Sequence, residues 1–166
     1  RGGTAADHVE MAGYLVSDRF VLVAPNGTVG AVAGMVGSLP YFHSPTFKTL
    51  AGLGSNFDTA SVNEIDMALA SGASADRLSY GNTIKKRRDV EYAASVGVTR
   101  FTVDAMEELT KVADVAPGAS VCVRLRHDCG GADWPLSRKF GCEAPDVERL
   151  LVAATEAGLS TGVSFH

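Results

Sequence analysis

The chain has little that would take it to a membrane or to nucleic acid. No apolar run approaches the roughly 20 residues that span a bilayer. Val29 to Val36 is apolar but short, and Gly30 and Gly34 interrupt it. Arg1-Gly2-Gly3 is followed by no sustained apolar segment, so the start does not read as a signal peptide. Positive charge is scarce: the formal net charge of -4 argues against a nucleic-acid partner. The one basic run, Lys85-Lys86-Arg87-Arg88, reads as the exposed start of an amphipathic helix. Cysteine is scarce too. Cys122, Cys129 and Cys142 form no C-x-x-C pair, which suits reduced thiols and a cytoplasmic setting. His127, Cys129 and Cys142 match no common zinc spacing, so no metal site is expected. No G-x-G-x-x-G follows the first β-rich run, which removes the main support for a dinucleotide fold.

What is present is an ordinary globular composition, 46% apolar and 20% charged, in a chain sized for one domain. Short β-rich runs occur at Arg19–Ala24, Pro40–His43, Asn56–Ser61, Arg77–Asn82, Arg100–Asp104, Ser120–Arg126 and Gly162–His166. Helical stripes lie between them. Val62–Ser71 carries Ile65, Ala68 and Leu69. Ile84–Ser95 carries Ile84, Val90 and Ala94. Met106–Val115 carries Met106, Leu109 and Val112, and Pro145–Ala157 carries Val147, Leu150, Leu151 and Ala154. Ser61 to Glu64 has capping-box spacing, and Asp104 to Glu107 is its Asp variant. Gly72, Gly97 and Gly158 stand where helices should stop. The strand repeat from Phe57 to Val121 is about 20 to 23 residues, enough for a strand, a helix and two short loops. Alternating β and α elements with apolar strands imply a parallel sheet, either open and doubly wound or a (β/α)8 barrel.

In such folds the chemistry collects at the carboxyl ends of the strands. The polar residues there are Asp58, Asn82, Asp104, Arg124, Arg126 and His166. Together they could hold an anionic group. Asp104 is better read as a helix cap and Asn82 as a turn former. Asp58 is balanced between structure and function. Arg124 falls in an apolar strand, where an unpaired guanidinium is costly, so it should face a carboxylate or an anion. A terminal His166 is by itself an ordinary structural residue.

Four segments carry a resemblance. They are Asn56-Phe57-Asp58-Thr59-Ala60-Ser61, Tyr80-Gly81-Asn82-Thr83-Ile84-Lys85-Lys86, the stretch from Ala132 to Cys142 containing Trp134 and Lys139-Phe140-Gly141, and Gly162-Val163-Ser164-Phe165-His166. In this order they resemble the bacterial ornithine/lysine decarboxylases, which use pyridoxal 5'-phosphate on an alanine-racemase-like, fold type III barrel. The resemblance runs from about Ser44 to His166 and leaves residues 1–38 divergent. It implies an α/β chain of the (β/α)8 barrel family, incomplete here. Pro40–His43 would be the first strand and Gly162–His166 the sixth of eight. The barrel-closing strands and the family's C-terminal β domain would then be absent. An unclosed sheet leaves a bare edge, so the chain is a fragment, is covered by a partner, or has rearranged.

The resemblance also implies roles. His166 would stack on the pyridine ring, Asp58 would lie near the reacting end of the cofactor, and Arg124 would share that rim. Lys139 would make a salt bridge across a dimer. The activity implied is loss of the α-carboxylate of ornithine or lysine to give a diamine, a step of polyamine biosynthesis in the cytoplasm. The family's essential lysine ends the first strand. Here Tyr41-Phe42 matches that strand and Pro45 to Leu50 the next helix, and the segment that would carry the lysine is missing. Lys48 falls in the helix instead. No catalytic residue is therefore assigned, and covalent cofactor binding and autonomous activity are not expected. The expected partners are an amino acid substrate and a second copy or another chain. The alternative is a catalytically dead paralogue that binds an active decarboxylase through the Ser137–Cys142 loop.

Overall fold

The computed structural model describes residues 21–23, 30–34, 45–127 and 139–165. They fall into two units. The first holds the described residues up to Tyr80 with Val96–Val98; the second holds Gly81–Ser95 and the described residues from Thr99 onward.

The first unit contains β1 (Val21–Val23), β2 (Gly30–Gly34), α1 (Pro45–Gly52), β3 (Phe57–Thr59), α2 (Val62–Ala70), a 3-10 turn (Ala75–Arg77) and β4 (Leu78–Tyr80). β1 pairs antiparallel with β2, Val21 opposite Val32. β2, β3 and β4 are mutually parallel, with Gly34 opposite Asp58 and Asp58 opposite Ser79. Side chains alternate across a strand. Phe57, Thr59, Leu78 and Tyr80 are therefore buried on one face, while Asp58 and Ser79 share the other and are half-buried. α2 packs Ile65 and Ala68 against β3. Its expected capping box forms: Ser61 Oγ accepts the Glu64 N–H, and the Glu64 carboxylate accepts the Ala60 N–H.

The strand expected at Arg19–Ala24 is seen as Val21–Val23. Pro40–His43 lies outside the described residues, and the parallel slot beside β3 is filled by Gly30–Gly34. Glycine is a poor strand former. Nothing local in that segment marked a strand, and pairing on both of its edges supplies what propensity does not.

The second unit contains α3 (Arg87–Ser95), β5 (Arg100–Val103), α4 (Met106–Val115), β6 (Ser120–Arg124), α5 (Ala144–Glu156) and β7 (Ser160–Ser164). The three strands are parallel in the order β5-β6-β7. Phe101, Val103, Val121 and Val123 are fully buried on the helical face. α4 packs on β5, and α5 packs on β6 and β7. Burying a side chain of that size contributes about 1.5–3 kcal/mol. Leu109, Val112, Val147, Leu150 and Ala154 complete this layer, as their helical spacing predicts. Gly72, Gly97 and Gly158 stop α2, α3 and α5 at positive φ, also as expected.

Two helix starts differ from expectation. α4 has Ala105 at its N-cap, with no side-chain cap, so Asp104 is not a capping residue. α3 begins at Arg87 rather than Ile84, and Ile84 is two-thirds exposed instead of joining Val90 on the buried stripe. The reason is Lys85. Lys86, Arg87 and Arg88 form the expected solvated run, but Lys85 is buried. Its Nζ donates to the carbonyl oxygens of Asn82 (2.9 Å), Thr83 (3.3 Å) and Thr102 (2.6 Å), and pairs with Glu108 at 3.7 Å. Its N–H donates to Glu108 Oε2, and Lys111 bonds both the Lys85 carbonyl and the other Glu108 oxygen. One ammonium thus ties the loop before α3 to β5 and α4.

Burial pulls the Lys85 ammonium down from 10.5 to about 8; Glu108 opposes the shift, Lys111 adds to it and Asp104 opposes it. The unfolded chain then holds this proton more tightly than the folded one, so stability from this group rises as pH climbs through the window from about 8 to 10.5. Lys85→Met should remove that rise. It should also cost roughly 3 kcal/mol at pH 7, since three carbonyl oxygens lose their donor. Urea unfolding of both proteins between pH 7 and 10 checks both effects.

Candidate functional site

Each unit presents polar groups on the sheet face away from its helices. In the first, the Asp58 carboxylate accepts a 2.7 Å hydrogen bond from Ser79 Oγ, the residue directly opposite it. The neighbouring Glu64 carboxyl is raised above the usual range by burial, with the Ala60 N–H opposing and Asp58 adding to the rise.

In the second unit the same face carries Thr102, Cys122 and Gly162 as one row across the sheet. One step further toward the carboxyl ends, Arg124 lies opposite Ser164. β5 ends at Val103, opposite Val123, and Asp104 is the next residue. A guanidinium and a hydroxyl therefore line one level of the rim. Ser164 Oγ is buried there without a hydrogen-bond partner among the described residues.

The segment from Lys139 to Cys142 closes over this rim. The even-numbered backbone groups of β6 face β5, where Ser120 N–H reaches Thr99 O at 2.8 Å; the odd-numbered ones face β7, where Leu125 N–H reaches Ser164 O at 2.8 Å. β5 turns away after Val103, leaving the next even-numbered groups of β6 open. Cys142 takes them: its N–H donates to Arg124 O (2.9 Å) and its carbonyl accepts from Arg126 N–H (2.8 Å). Asp104 Oδ2 accepts the Gly141 N–H at 2.9 Å, tying the end of β5 to the segment that succeeds it.

Gly141 has φ +94°, and a Cβ placed on it would stand 2.8 Å from Arg126 N and 2.9 Å from Arg126 Cα. Only glycine allows both the left-handed turn and this approach of two backbones. The turn sets Phe140 against two cations, with Arg124 Cζ 5.2 Å and Lys139 Nζ 4.8 Å from its ring centroid. Such contacts are worth about 0.5–1 kcal/mol each when exposed. The Cys142 thiol, whose Sγ lies 3.6 Å from Arg124 O, is pushed up by burial and by Asp104 and Asp146, the opposite of what an activated thiolate needs.

Of the residues expected in the site, Arg124 is at the end of β6, and Lys139 is exposed with its Nζ near the same Phe140 ring. Asp58 belongs to the first unit. His166, Trp134 and Cys129 lie outside the described residues. Asn82 shapes a turn, its Oδ1 accepting the Ile84 N–H at 3.4 Å. Arg126 is exposed and paired with Glu143, and His127 meets Phe165 edge-on at 6.3 Å. Among the described residues no group of three His, Cys, Asp or Glu is placed to hold a metal ion, and no helix is long and apolar enough to cross a membrane. The residues not foreseen are Ser164, Phe140 and Gly141. They occur in recognisable segments, but their roles depend on pairing across sequence-distant strands.

Comparison with known proteins gives a consistent result. Residues 43–166 match the pyridoxal-binding domain of the pyridoxal-dependent decarboxylases. Ornithine decarboxylase from Saccharomyces cerevisiae is 44% identical over 118 residues, 70% of this chain and 25% of that protein. The arginine decarboxylase of Paramecium bursaria Chlorella virus superposes with a TM-score of 0.71 at 31% identity, covering 75% of this chain and 34% of that one. A variant of the Selenomonas ruminantium lysine decarboxylase solved with the cofactor gives 0.69 at 38% identity, covering 73% and 32%. The likeness is thus not confined to bacterial enzymes. The chain spans a quarter to a third of the length of these relatives. Its parallel βα units are part of a (β/α)8 barrel, as expected.

Gly141→Ala should expose how tightly the rim segment is seated. Strain of about 1–3 kcal/mol at that turn should release the Cys142 pairing. Amide exchange at Arg126 should then accelerate at least about tenfold while the Val121 and Val123 amides stay protected.

Proposed function

The chain belongs to the pyridoxal-dependent decarboxylases, and on that premise we propose that it is the cofactor-binding part of an ornithine- or lysine-type amino acid decarboxylase. The observation that carries this reading is the rim of the second unit. A guanidinium and a buried hydroxyl lacking a partner stand opposite each other at the carboxyl ends of parallel strands, beneath a docked Lys-Phe-Gly segment. A fixed cation beside an unsatisfied hydroxyl suits an anionic, oxygen-rich ligand, and pyridoxal 5'-phosphate fits that donor set.

When bound, the cofactor supplies a sink for the electron pair left as the α-carboxylate departs as carbon dioxide. The chain's own share is to bind and orient. Arg124 offers a charge that no pH change in the working range removes. Ser164 Oγ offers a donor at the same level. Asp58, aimed by the Ser79 hydroxyl, supplies a carboxylate acceptor in the first unit. His166 would stack on the ring, following the resemblance. Lys139, exposed beside Phe140, would meet a second copy in a cytoplasmic dimer, following the resemblance. The relative with a bound diamine, solved with the cofactor and cadaverine, supports a basic amino acid as substrate.

Covalent attachment is a separate matter. No lysine occurs in Gly30–Gly34, the strand beside β3, and Lys48 is exposed on α1. Lys85 has a lowered pKa, but its Nζ is held by three carbonyl oxygens and Glu108. These facts support a chain that holds the cofactor reversibly and does not turn over by itself. They also support the second reading, a silent paralogue that regulates an active decarboxylase. Adding the chain to active ornithine decarboxylase and measuring the rate examines that reading; an unchanged rate at excess chain removes it.

Pyridoxal phosphate added to the chain should leave completely on dialysis, and borohydride should fix none of it to a lysine. A reduced adduct mapped to Lys48 or Lys85 would overturn this. With the missing segment restored after His43, and the chain completed by the remaining part of the Selenomonas enzyme, carbon dioxide release from ornithine or lysine is expected. Cofactor binding without release in that hybrid would sink the decarboxylase assignment.

A further inference from the structure

Asp104 is the first residue after β5 and should, by its position, cap α4. It does not: the cap is Ala105, and the carboxylate instead accepts the N–H of Gly141, 37 residues on. A side chain that forgoes its local backbone partner for a distant one is fixing the distant segment. What it fixes is narrow. Gly141 is the hinge between Cys142, which is seated on the edge of β6, and Phe140, which lies over the Arg124 guanidinium.

We propose that Asp104 is a positioning residue for Arg124: by holding the Gly141 N–H it keeps Phe140 against the guanidinium and so sets the direction in which that cation meets a bound anion. The inference rests on the reading of Arg124 as the binding cation of the rim. Arginine carries several rotatable bonds, and a freely turning guanidinium gives up much of its binding energy in ordering. A ring on one side limits those rotamers before the ligand arrives. The Cys142 pairing cannot do this alone, because it fixes backbone one residue past Gly141 and leaves the turn toward Phe140 free to swing. The carboxylate holds the turn itself. A direct role for Asp104 in chemistry is not required, since its Oδ2 is already committed to a backbone donor.

The test is nuclear magnetic resonance on the labelled chain, without cofactor. The Arg124 side-chain resonances should carry a ring-current shift from Phe140, defined as the difference from the Phe140→Leu variant. Asp104→Ala should abolish most of that shift. Asp104→Asn, which keeps a carbonyl acceptor for the same N–H, should restore it. Val121 and Val123 methyl resonances report whether the core is intact. Should Asp104→Ala not fold, Asp104→Ser replaces it, because serine suits the start of a helix but cannot reach as far. A shift that survives the loss of the carboxylate, or an Asn variant that behaves like Ala, overturns the proposal. A second arm measures pyridoxal phosphate binding, expected to weaken about tenfold in Asp104→Ala and recover in Asp104→Asn. If the resonances respond as expected while no variant or parent binds pyridoxal phosphate, the assigned function fails and the positioning role stands. If binding is normal in all variants, the positioning role fails alone.

Discussion

The backbone of β6 runs past the point where β5 turns away, and the polar groups exposed there must be paired or left at a cost of about 1–3 kcal/mol each. The arrangement of the Lys139–Cys142 segment follows from how that is done. Cys142 occupies the vacated edge, so the chain before it must arrive through a left-handed turn with no side chain, which is Gly141. The turn throws Phe140 and Lys139 toward Arg124. Asp104, which caps no helix, supplies the acceptor for the turn's N–H. A backbone requirement thus sets the surroundings of the Arg124 guanidinium, and the rim inherits its order from the sheet.

The second unit contains two buried or half-buried electrostatic centres with different logic. At Lys85 the charge is enclosed, its donors are saturated by carbonyl oxygens, and its lowered pKa records the cost of removing it from water. Such a group specifies geometry and offers nothing to a ligand. At Arg124 the charge sits at a strand end under one aromatic ring, with an unpartnered hydroxyl at the same level. The two basic side chains differ in burial: Lys85 is enclosed, whereas Arg124 is half-buried at a strand end.

Much of this was legible in the sequence where the determinants are local. The helical stripes around Ile65, Leu109 and Leu150, the capping box at Ser61 and the glycine stops act within a few residues and are found, except that Met106 is exposed. The position of Arg124 in a strand was legible, because it closes an apolar β-rich run, and it ends β6. The remainder was hidden because it is made by pairing. Gly30–Gly34 is a strand only because β1 and β3 flank it. Asp104 looked like a cap because its true partner is 37 residues away. Lys85 looked like one more exposed cation in a basic run, and nothing local announces that Thr102 and Glu108 enclose it. Ser164 is a small polar residue in a strand until its register opposite Arg124 is known.

The same contrast bears on what the chain retains of its family. Features that orient a ligand are backbone-built: the register of β6 and β7, the turn at Gly141, the pairing of Cys142. They persist as long as the sheet folds, because removing any of them leaves buried polar groups unpaired. A lysine that reacts with a cofactor has no such protection. Such a residue contributes little to folding, and the scaffold does not enforce it. A decarboxylase domain can therefore keep its binding rim under selection for stability alone. The fold therefore records descent, while turnover depends on residues that the fold does not itself enforce.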